Sequence, residues 1–121
     1  MIDWKHINKY INEADSILLT MHENPDGDGI GCATAMYHYL KEIKKDCRIL
    51  NVSLLPVEYD FLNEGDILET YDPDLHNVWI STVDLAIIFD VGDYKRIREL
   101  KTQIKHNNIK TLNIDHHPHP E

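Results

Sequence analysis

The sequence has too little positive charge and too few long apolar runs to suit two large classes of protein. Lysine and arginine number 12 against 21 aspartates and glutamates, which gives a formal net charge of −9. Broad binding to duplex nucleic acid rests on basic surface, so this balance argues against it. The longest apolar runs cover only a handful of residues, far short of the roughly 20 that span a membrane. We therefore expect neither duplex binding by this domain alone nor insertion into a membrane.

Cysteine is equally scarce, because the chain has only Cys32 and Cys47. These two form neither a C-x-x-C pair nor a zinc spacing, which favours a reduced, intracellular setting. No basic and apolar leader opens the chain, so we expect a cytoplasmic protein. At 121 residues the chain predicts one domain, and this length can bury a core without disulfide or metal staples.

Four apolar segments alternate with helical patterns. The predicted strands are 16–20, 47–52, 84–90 and 109–114. Helices are predicted to begin near Asp3, Ile30 and Asp93, while 56–62 reads as a turn or short helix and 63–74 as irregular. Such alternation predicts an α/β fold with a mostly parallel sheet and helices on both faces.

The second predicted helix has a clear apolar stripe, and it is expected to run from Ile30 to Lys45. Its expected buried residues are Ile30, Ala33, Met36, Tyr37, Leu40 and Ile43. Its expected exposed residues are Lys41, Lys44 and Lys45. Four histidines outside the motifs are read as ordinary residues on helices or near loops, namely His6, His38, His76 and His106.

The stretch from Thr20 to Cys32, TMHENPDGDGIGC, concentrates chemistry in a strand–loop–helix pattern. His22, Asp26 and Asp28 fall within seven residues. An imidazole with two carboxylates suits a divalent cation of the manganese, magnesium or iron type better than a structural zinc, which usually takes cysteine. The alternative is a solvated turn, since Asp and Gly are common turn residues.

Two further strand ends carry similar side chains. Asp90 ends the apolar run LAIIF, and Asp115-His116-His117 follows the last predicted strand. Open α/β sheets bind ligands at the carboxyl ends of their strands, so these groups are expected to meet. Two bound divalent cations would reduce the charge of −9 to about −5, which leaves short anionic substrates possible.

These motifs together resemble the DHH phosphoesterase superfamily, which is named for an Asp-His-His motif. The first motif reads His22-Glu23-Asn24-Pro25-Asp26-Gly27-Asp28-Gly29-Ile30-Gly31, the second is the aspartate of FDVGDYKRI, and the third is DHH. Three features resemble the branch of nano-RNases and phosphoadenosine phosphate (pAp) phosphatases. They are Asp-Gly-Asp in the first motif, Asp-Val-Gly-Asp with the following Arg96 in the second, and the segment PVEYDFL. Gly27 argues against family II pyrophosphatases, whereas cyclic-dinucleotide phosphodiesterases and RecJ-like exonucleases share the core motifs.

The resemblance implies a pair of Mn²⁺ ions, with Mg²⁺ or Co²⁺ as substitutes. The implied metal ligands are His22 and Asp26 on one ion, Asp28 and His116 on the other, and Asp90 as the bridge. By the same resemblance Asp90 and His117 are the catalytic residues, with His117 facing the substrate phosphate. Asp115 is expected to support the histidines. Asn24 and Arg96 are candidate phosphate or supporting contacts.

The resemblance is to the first part of the family only. Members usually supply one more metal-binding aspartate downstream and carry a smaller DHH-associated domain, and nothing in residues 1–121 corresponds to either. We therefore expect an incomplete DHH-type, Rossmann-like domain, weak or inactive alone, whose parent hydrolyses short RNA oligonucleotides or nucleotide phosphates. A surface that a partner domain normally covers could also make the chain a homo-oligomer.

Three rival interpretations stay open at this stage. The chain could be a non-catalytic metal- or nucleotide-binding remnant, or a purely structural domain. It could also be a dinucleotide-binding domain, but Gly27, Gly29 and Gly31 are spaced G-x-G-x-G and not G-x-G-x-x-G. Trp79 and Tyr71 could stack a base, although a packing role is favoured.

Overall fold

A computed structural model describes residues 4–21, 27–52, 63, 65–89 and 99–114, without the side chains of residues 4, 27 and 28. Its strands are β1 (Ser16–Met21), β2 (Asp46–Asn51), β3 (Leu68–Thr70), β4 (Leu85–Phe89) and β5 (Lys110–Ile114). Its helices are α1 (Trp4–Glu13), α2 (Gly27–Glu42), α3 (Pro73–Ile80) and α4 (Glu99–His106). The expected strand–helix alternation is confirmed.

The strands form one sheet in the order β3-β2-β1-β4-β5, and each neighbouring pair is parallel. β1 is the central strand and β4 lies next to it, and both are buried along almost their whole length. Strands covered on both faces read as continuous apolar runs, which explains the sequences SILLTM and LAIIF.

Alternation along the strands divides the interior into two cores. Ile17, Leu19 and Met21 of β1 pack in one core with apolar residues of α1 and α2. Leu18 packs in the other core, which includes residues of α3 and α4. Because successive strand residues point to opposite faces, one buried strand serves both cores. The helices therefore cover both faces, as the sequence predicted.

The helix after β1 differs from its prediction at both ends. It begins at Gly27, three positions earlier than expected, and ends at Glu42. Lys44 adopts a left-handed φ of 63°, so the chain leaves the helical path before the predicted end. The predictions that Ile43 is buried and Lys45 exposed are wrong. Ile43 is 37% exposed, while Lys45 is half-buried and its Nζ donates to the carbonyls of Asn12 and Ala14.

The prediction of an irregular segment at 63–74 is also wrong, since that range contains β3 and the start of α3. His76, predicted near a loop, lies within α3, whereas His106 is the last residue of α4 and does adjoin the turn that follows. His76 is buried at 3% exposure. The prediction for 56–62 concerns residues outside the described ranges.

Candidate functional site

The order of the strands creates a switch point between β1 and β4. From β1 the chain adds β2 and β3 on one side of the sheet, and β4 and β5 lie on the other. In open α/β sheets the crevice at the carboxyl ends of the strands beside such a reversal is where ligands bind. This crevice lies at Met21 and Phe89, which are the last residues of β1 and β4.

Three strand ends are level at this edge. Met21 pairs with Phe89, and Phe89 pairs with Ile114. Neighbouring strands are about 4.8 Å apart, so these three residues span about 10 Å. The residues that follow them in the sequence are His22, Asp90 and Asp115. The sheet therefore brings to one edge the three points of the chain from which the predicted motifs continue.

Most of the predicted site residues are beyond the part of the chain that the structure describes. Asp28 is the exception, because it is the second residue of α2, although its side chain is not described. The others outside the described ranges are His22, Asn24, Asp26, Asp90, Arg96, Asp115, His116 and His117. Among the described residues, no group of three or more His, Cys, Asp or Glu side chains could hold a metal ion.

The N-terminal end of α2 points toward the same edge. The helix starts at Gly27, six residues after β1 ends at Met21, and runs for 16 residues. Its first N–H groups and its dipole favour a negative charge at that end. The start of α2 is therefore suited to an anion at this edge of the sheet.

Two buried polar side chains at this edge were missed by the sequence analysis. Thr20 is fully buried, and its hydroxyl lies 3.5 Å from the carbonyl of Met21. Asn51, the last residue of β2, is 5% exposed. Polar residues at the ends of otherwise apolar strands were the signal that could have found them, since buried polar groups need hydrogen-bond partners.

A cavity of about 390 Å³ lies against the ends of β4 and β5, on the face covered by α1 and α2. Its walls are mostly apolar and include Phe89, Ile114, Met36 and Cys32. Apolar walls do not suit a phosphate, so this cavity is separate in chemistry from the predicted metal site. Cys32 is exposed and lies on α2.

Cys47, by contrast, is buried at the start of β2. Burial raises the pKa of its thiol to about 11, outweighing the lowering by Lys41. The thiolate is the reactive form, so Cys47 is inert at neutral pH. No disulfide joins Cys32 to Cys47.

The aromatic residues considered for base stacking have structural roles. The indole Nε1 of Trp79 donates to Asp46 at 2.9 Å, and the Arg48 guanidinium lies 5.3 Å from the ring centroid. Both contacts are near the amino-terminal end of β2, opposite the candidate site. Tyr71 donates through its hydroxyl to Asn77 and stacks on His76, and burial raises its pKa. The favoured packing interpretation therefore fits both residues.

A family model for the N-terminal domain of the DHH family matches residues 16–121. The chain belongs to the DHH family. The match begins at the first residue of β1 and includes all three motifs from the sequence analysis.

Similarity to individual proteins agrees with this assignment. The chain is 27% identical over 118 residues to an uncharacterised protein of Mycoplasma genitalium. It is 29% identical over 112 residues to the bifunctional oligoribonuclease and PAP phosphatase NrnA of the same organism. The crystal structure of an exopolyphosphatase-related protein from Bacteroides fragilis superposes with a TM-score of 0.85 at 27% identity. The α/β fold is thus shared with a solved relative.

These matches cover most of this chain but little of the relatives. The aligned part is 97%, 92% and 97% of this chain, against 34%, 33% and 35% of the respective relatives. The chain thus spans about a third of the length of the proteins it matches. None of the helices in the described ranges is long and apolar enough to cross a membrane.

Proposed function

We propose that the chain supplies the metal-binding part of a phosphoesterase site that hydrolyses short oligoribonucleotides or pAp. The observation that carries the proposal is the shared register of Met21, Phe89 and Ile114. Consecutive Cα atoms are about 3.8 Å apart across a trans peptide. The first residue of each motif therefore starts from the same small region of the sheet edge.

The donor set fits a pair of divalent cations. The proposed ligands are His22, Asp26, Asp28, Asp90 and His116, four of which lie within the first two motifs. Carboxylate and imidazole groups without cysteine suit Mn²⁺ and, with fewer nitrogens, Mg²⁺. When bound, a metal pair would activate water and offset negative charge on the oxygens at phosphorus. We propose two Mn²⁺ ions as the native cofactors.

The chain's own residues would then bind and orient the substrate. Asp90 is proposed to bridge the metals, and Asp115 to fix the orientation of the neighbouring histidines. His117 is proposed to face the phosphate, with Asn24 and Arg96 as further contacts. The N-terminal end of α2 adds a favourable field for the same anion. The name of the Mycoplasma genitalium relative NrnA supports the choice of oligoribonucleotide and pAp substrates.

The first experiment is titration of the chain with Mn²⁺ in a calorimeter, comparing wild type with Asp90→Ala. We expect one or two bound ions in the wild type and fewer in the variant. Asp74→Ala is the matched control, because Asp74 is an exposed carboxylate on α3 that faces solvent and lies outside the motifs. Equal Mn²⁺ stoichiometry in wild type and Asp90→Ala would contradict the proposed bridge.

Hydrolysis is measured in the same buffer with a short RNA and with pAp. Slow, Mn²⁺-dependent release that Asp90→Ala abolishes supports the phosphoesterase proposal. Metal binding without any release from either substrate favours a non-catalytic metal- and nucleotide-binding role for this part of the protein. Preference for a cyclic dinucleotide in a parallel assay would move the proposal to that substrate class.

A further inference from the structure

We propose that a second copy of this chain docks on one side of α2, through an apolar stripe that lies beside the core-facing side of the helix. The stripe consists of Cys32, Met36, Tyr39 and Ile43. Ile43 follows the last residue of α2, but its N–H donates to the carbonyl of Tyr39 at 3.2 Å, so it continues the helical turn. This contact between copies is independent of the proposed phosphoesterase function.

α2 carries apolar residues on two of its faces. Ile30, Ala33 and Leu40 are completely buried and pack in the core that also contains residues of α1. The stripe lies about 100° further round the helix, because each residue turns the chain by about 100°. Within it, Tyr39 is 45% exposed and Ile43 is 37% exposed. A surface helix typically has one apolar face, so the second one indicates a further contact.

The stripe borders the cavity of about 390 Å³ that lies between α1 and α2. Ile7 and Ile11 of α1 line its other side, while Phe89 and Ile114 line it from the ends of β4 and β5. None of the described residues that line this cavity is charged, although the chain has a net charge of −9. Two copies therefore meet here without placing like charges against each other. The cavity also gives room for side chains of the second copy.

The spacing of the stripe favours a second copy as the occupant. Its residues are separated by four, three and four positions, which is the spacing of the apolar seam of a coiled coil. This order is the same when it is read from either end. Two α2 helices that pack antiparallel therefore bring Cys32 opposite Ile43 of the second copy, and Met36 opposite Tyr39 of the second copy.

Such a contact is isologous, because the same surface of both copies meets across a twofold axis. Antiparallel packing also places the negative end of one helix dipole beside the positive end of the other. The stripe is about 17 Å long at 1.5 Å per residue, so the interface belongs to the small class below about 1,200 Å². We expect a weak dimer with a dissociation constant on the order of 10–100 μM.

The first test is sedimentation equilibrium of the wild type, Tyr39→Glu and Leu75→Glu over a range of concentrations. We expect the wild type to dimerise, and Tyr39→Glu to weaken the dimer at least about 10-fold, because a carboxylate then loses water in an apolar contact. Leu75→Glu is the matched control, since Leu75 is 70% exposed on α3, which packs against the other core. This control should dimerise like the wild type. Circular dichroism checks that both variants are folded.

The second test is disulfide cross-linking under mild oxidation. Ile43→Cys places a thiol opposite Cys32 of the second copy, where helix axes 8–10 Å apart leave facing Cα atoms about 5 Å apart, within reach of a disulfide. Within one copy the two positions are about 17 Å apart along the helix, so the cross-link forms only between copies. Val78→Cys is the control, because Val78 is 81% exposed but lies on α3. We expect covalent dimers from Ile43→Cys and far fewer from Val78→Cys.

Three results would overturn the proposal. A wild type that stays monomeric at about 1 mM, above the expected dissociation constant, would mean that the stripe is not a self-association surface. A dimer that Leu75→Glu dissociates and Tyr39→Glu does not would place the contact on α3. Equal cross-linking in the two cysteine variants would exclude the antiparallel pairing of α2.

Discussion

At the scale of single residues, the turn after α2 contains a residue that is poorly suited to its backbone. Lys44 has a φ of 63°. Its N–H donates to the carbonyl of Lys41, and the N–H of Lys45 donates to that of Leu40. This is the hydrogen-bond pattern of a Schellman motif, whose left-handed position is usually occupied by glycine. The backbone of this turn therefore forms the motif, but lysine is strained at its left-handed position.

We predict that Lys44→Gly stabilises the protein by about 1 kcal/mol, because glycine removes the strain of a left-handed non-glycine residue. The measurement is the midpoint of urea unfolding with unchanged slope. Asn108→Gly is the control, since Asn108 ends α4 in the same motif with a φ of 53°. Asparagine tolerates this conformation, so that change should be nearly neutral. A destabilised Lys44→Gly variant would contradict the account.

These two turns carry different residues, which explains why the end of α4 could be predicted and the end of α2 could not. Asn107-Asn108 is a recognisable end signal in the sequence, because asparagine often ends helices, and α4 does end at His106. Lys44 gave no such signal, so the predicted helix ran through it. A lysine in a left-handed turn can be found only from the backbone.

At the scale of elements, β3 and α3 were missed for different reasons. β3 has only three residues, all partly or fully exposed, so neither alternation nor an apolar run could reveal it. α3 did carry signals, because Asp72 caps its first turn and Pro73 is its first residue. Aspartate followed by proline is a typical helix start. The acidic character of the preceding segment hid this pattern.

The two missed elements are joined by His76. Its Nδ1 accepts from the N–H of Asp72 at 2.9 Å, and its Nε2 lies 3.2 Å from Glu69 of β3. Since Nδ1 is the acceptor, the proton sits on Nε2 and is donated to the Glu69 carboxylate. The ring thus connects the cap of α3 to the edge strand.

We predict that His76→Ala lowers the free energy of unfolding by about 1–3 kcal/mol, because the half-buried N–H of Asp72 loses its acceptor. His76→Asn places an oxygen where Nδ1 was, so it should recover more stability than His76→Gln, whose amide is nearer to the position of Nε2. Chemical denaturation of the four proteins gives the ranking. Equal losses in Asn and Gln variants would show that the Asp72 contact is unimportant.

At the scale of the whole molecule, the sheet and the edge at which the three motifs begin were predictable, whereas the site itself stays a prediction. β1, β2, β4 and β5 were each predicted within two residues of their observed ends, because buried parallel strands leave continuous apolar runs. That the motifs follow strands meeting at one edge is confirmed by the register. The ligand roles depend on loop conformation and metal coordination, which no periodicity in the sequence encodes.

Asp84, which precedes β4, hydrogen-bonds to the start of β1 at the amino-terminal edge of the sheet. Its two carboxylate oxygens accept from the N–H groups of Asp15 and Ser16 at 3.0 and 3.1 Å. Its own N–H donates to the carbonyl of Ser16 at 3.1 Å. These bonds align β1 and β4 at the end opposite the candidate site, and thereby help to set the register on which that site depends.

We therefore predict that Asp84→Ala lowers the global free energy of unfolding by about 1–2 kcal/mol. We expect a loss of only this size because Asp84 is exposed, so water can partly replace the lost hydrogen bonds. In native-state hydrogen exchange, the amides of Leu18 and Ile87 should lose protection by the same amount, since central strands exchange through global unfolding. The amide of Glu69 in the short edge strand should change little, because it opens locally. Asp84→Asn, which keeps one acceptor oxygen, should give a smaller loss. If amide protection falls in β3 but not in β1, the sheet does not unfold as one unit and Asp84 does not stabilise the pairing of β1 with β4.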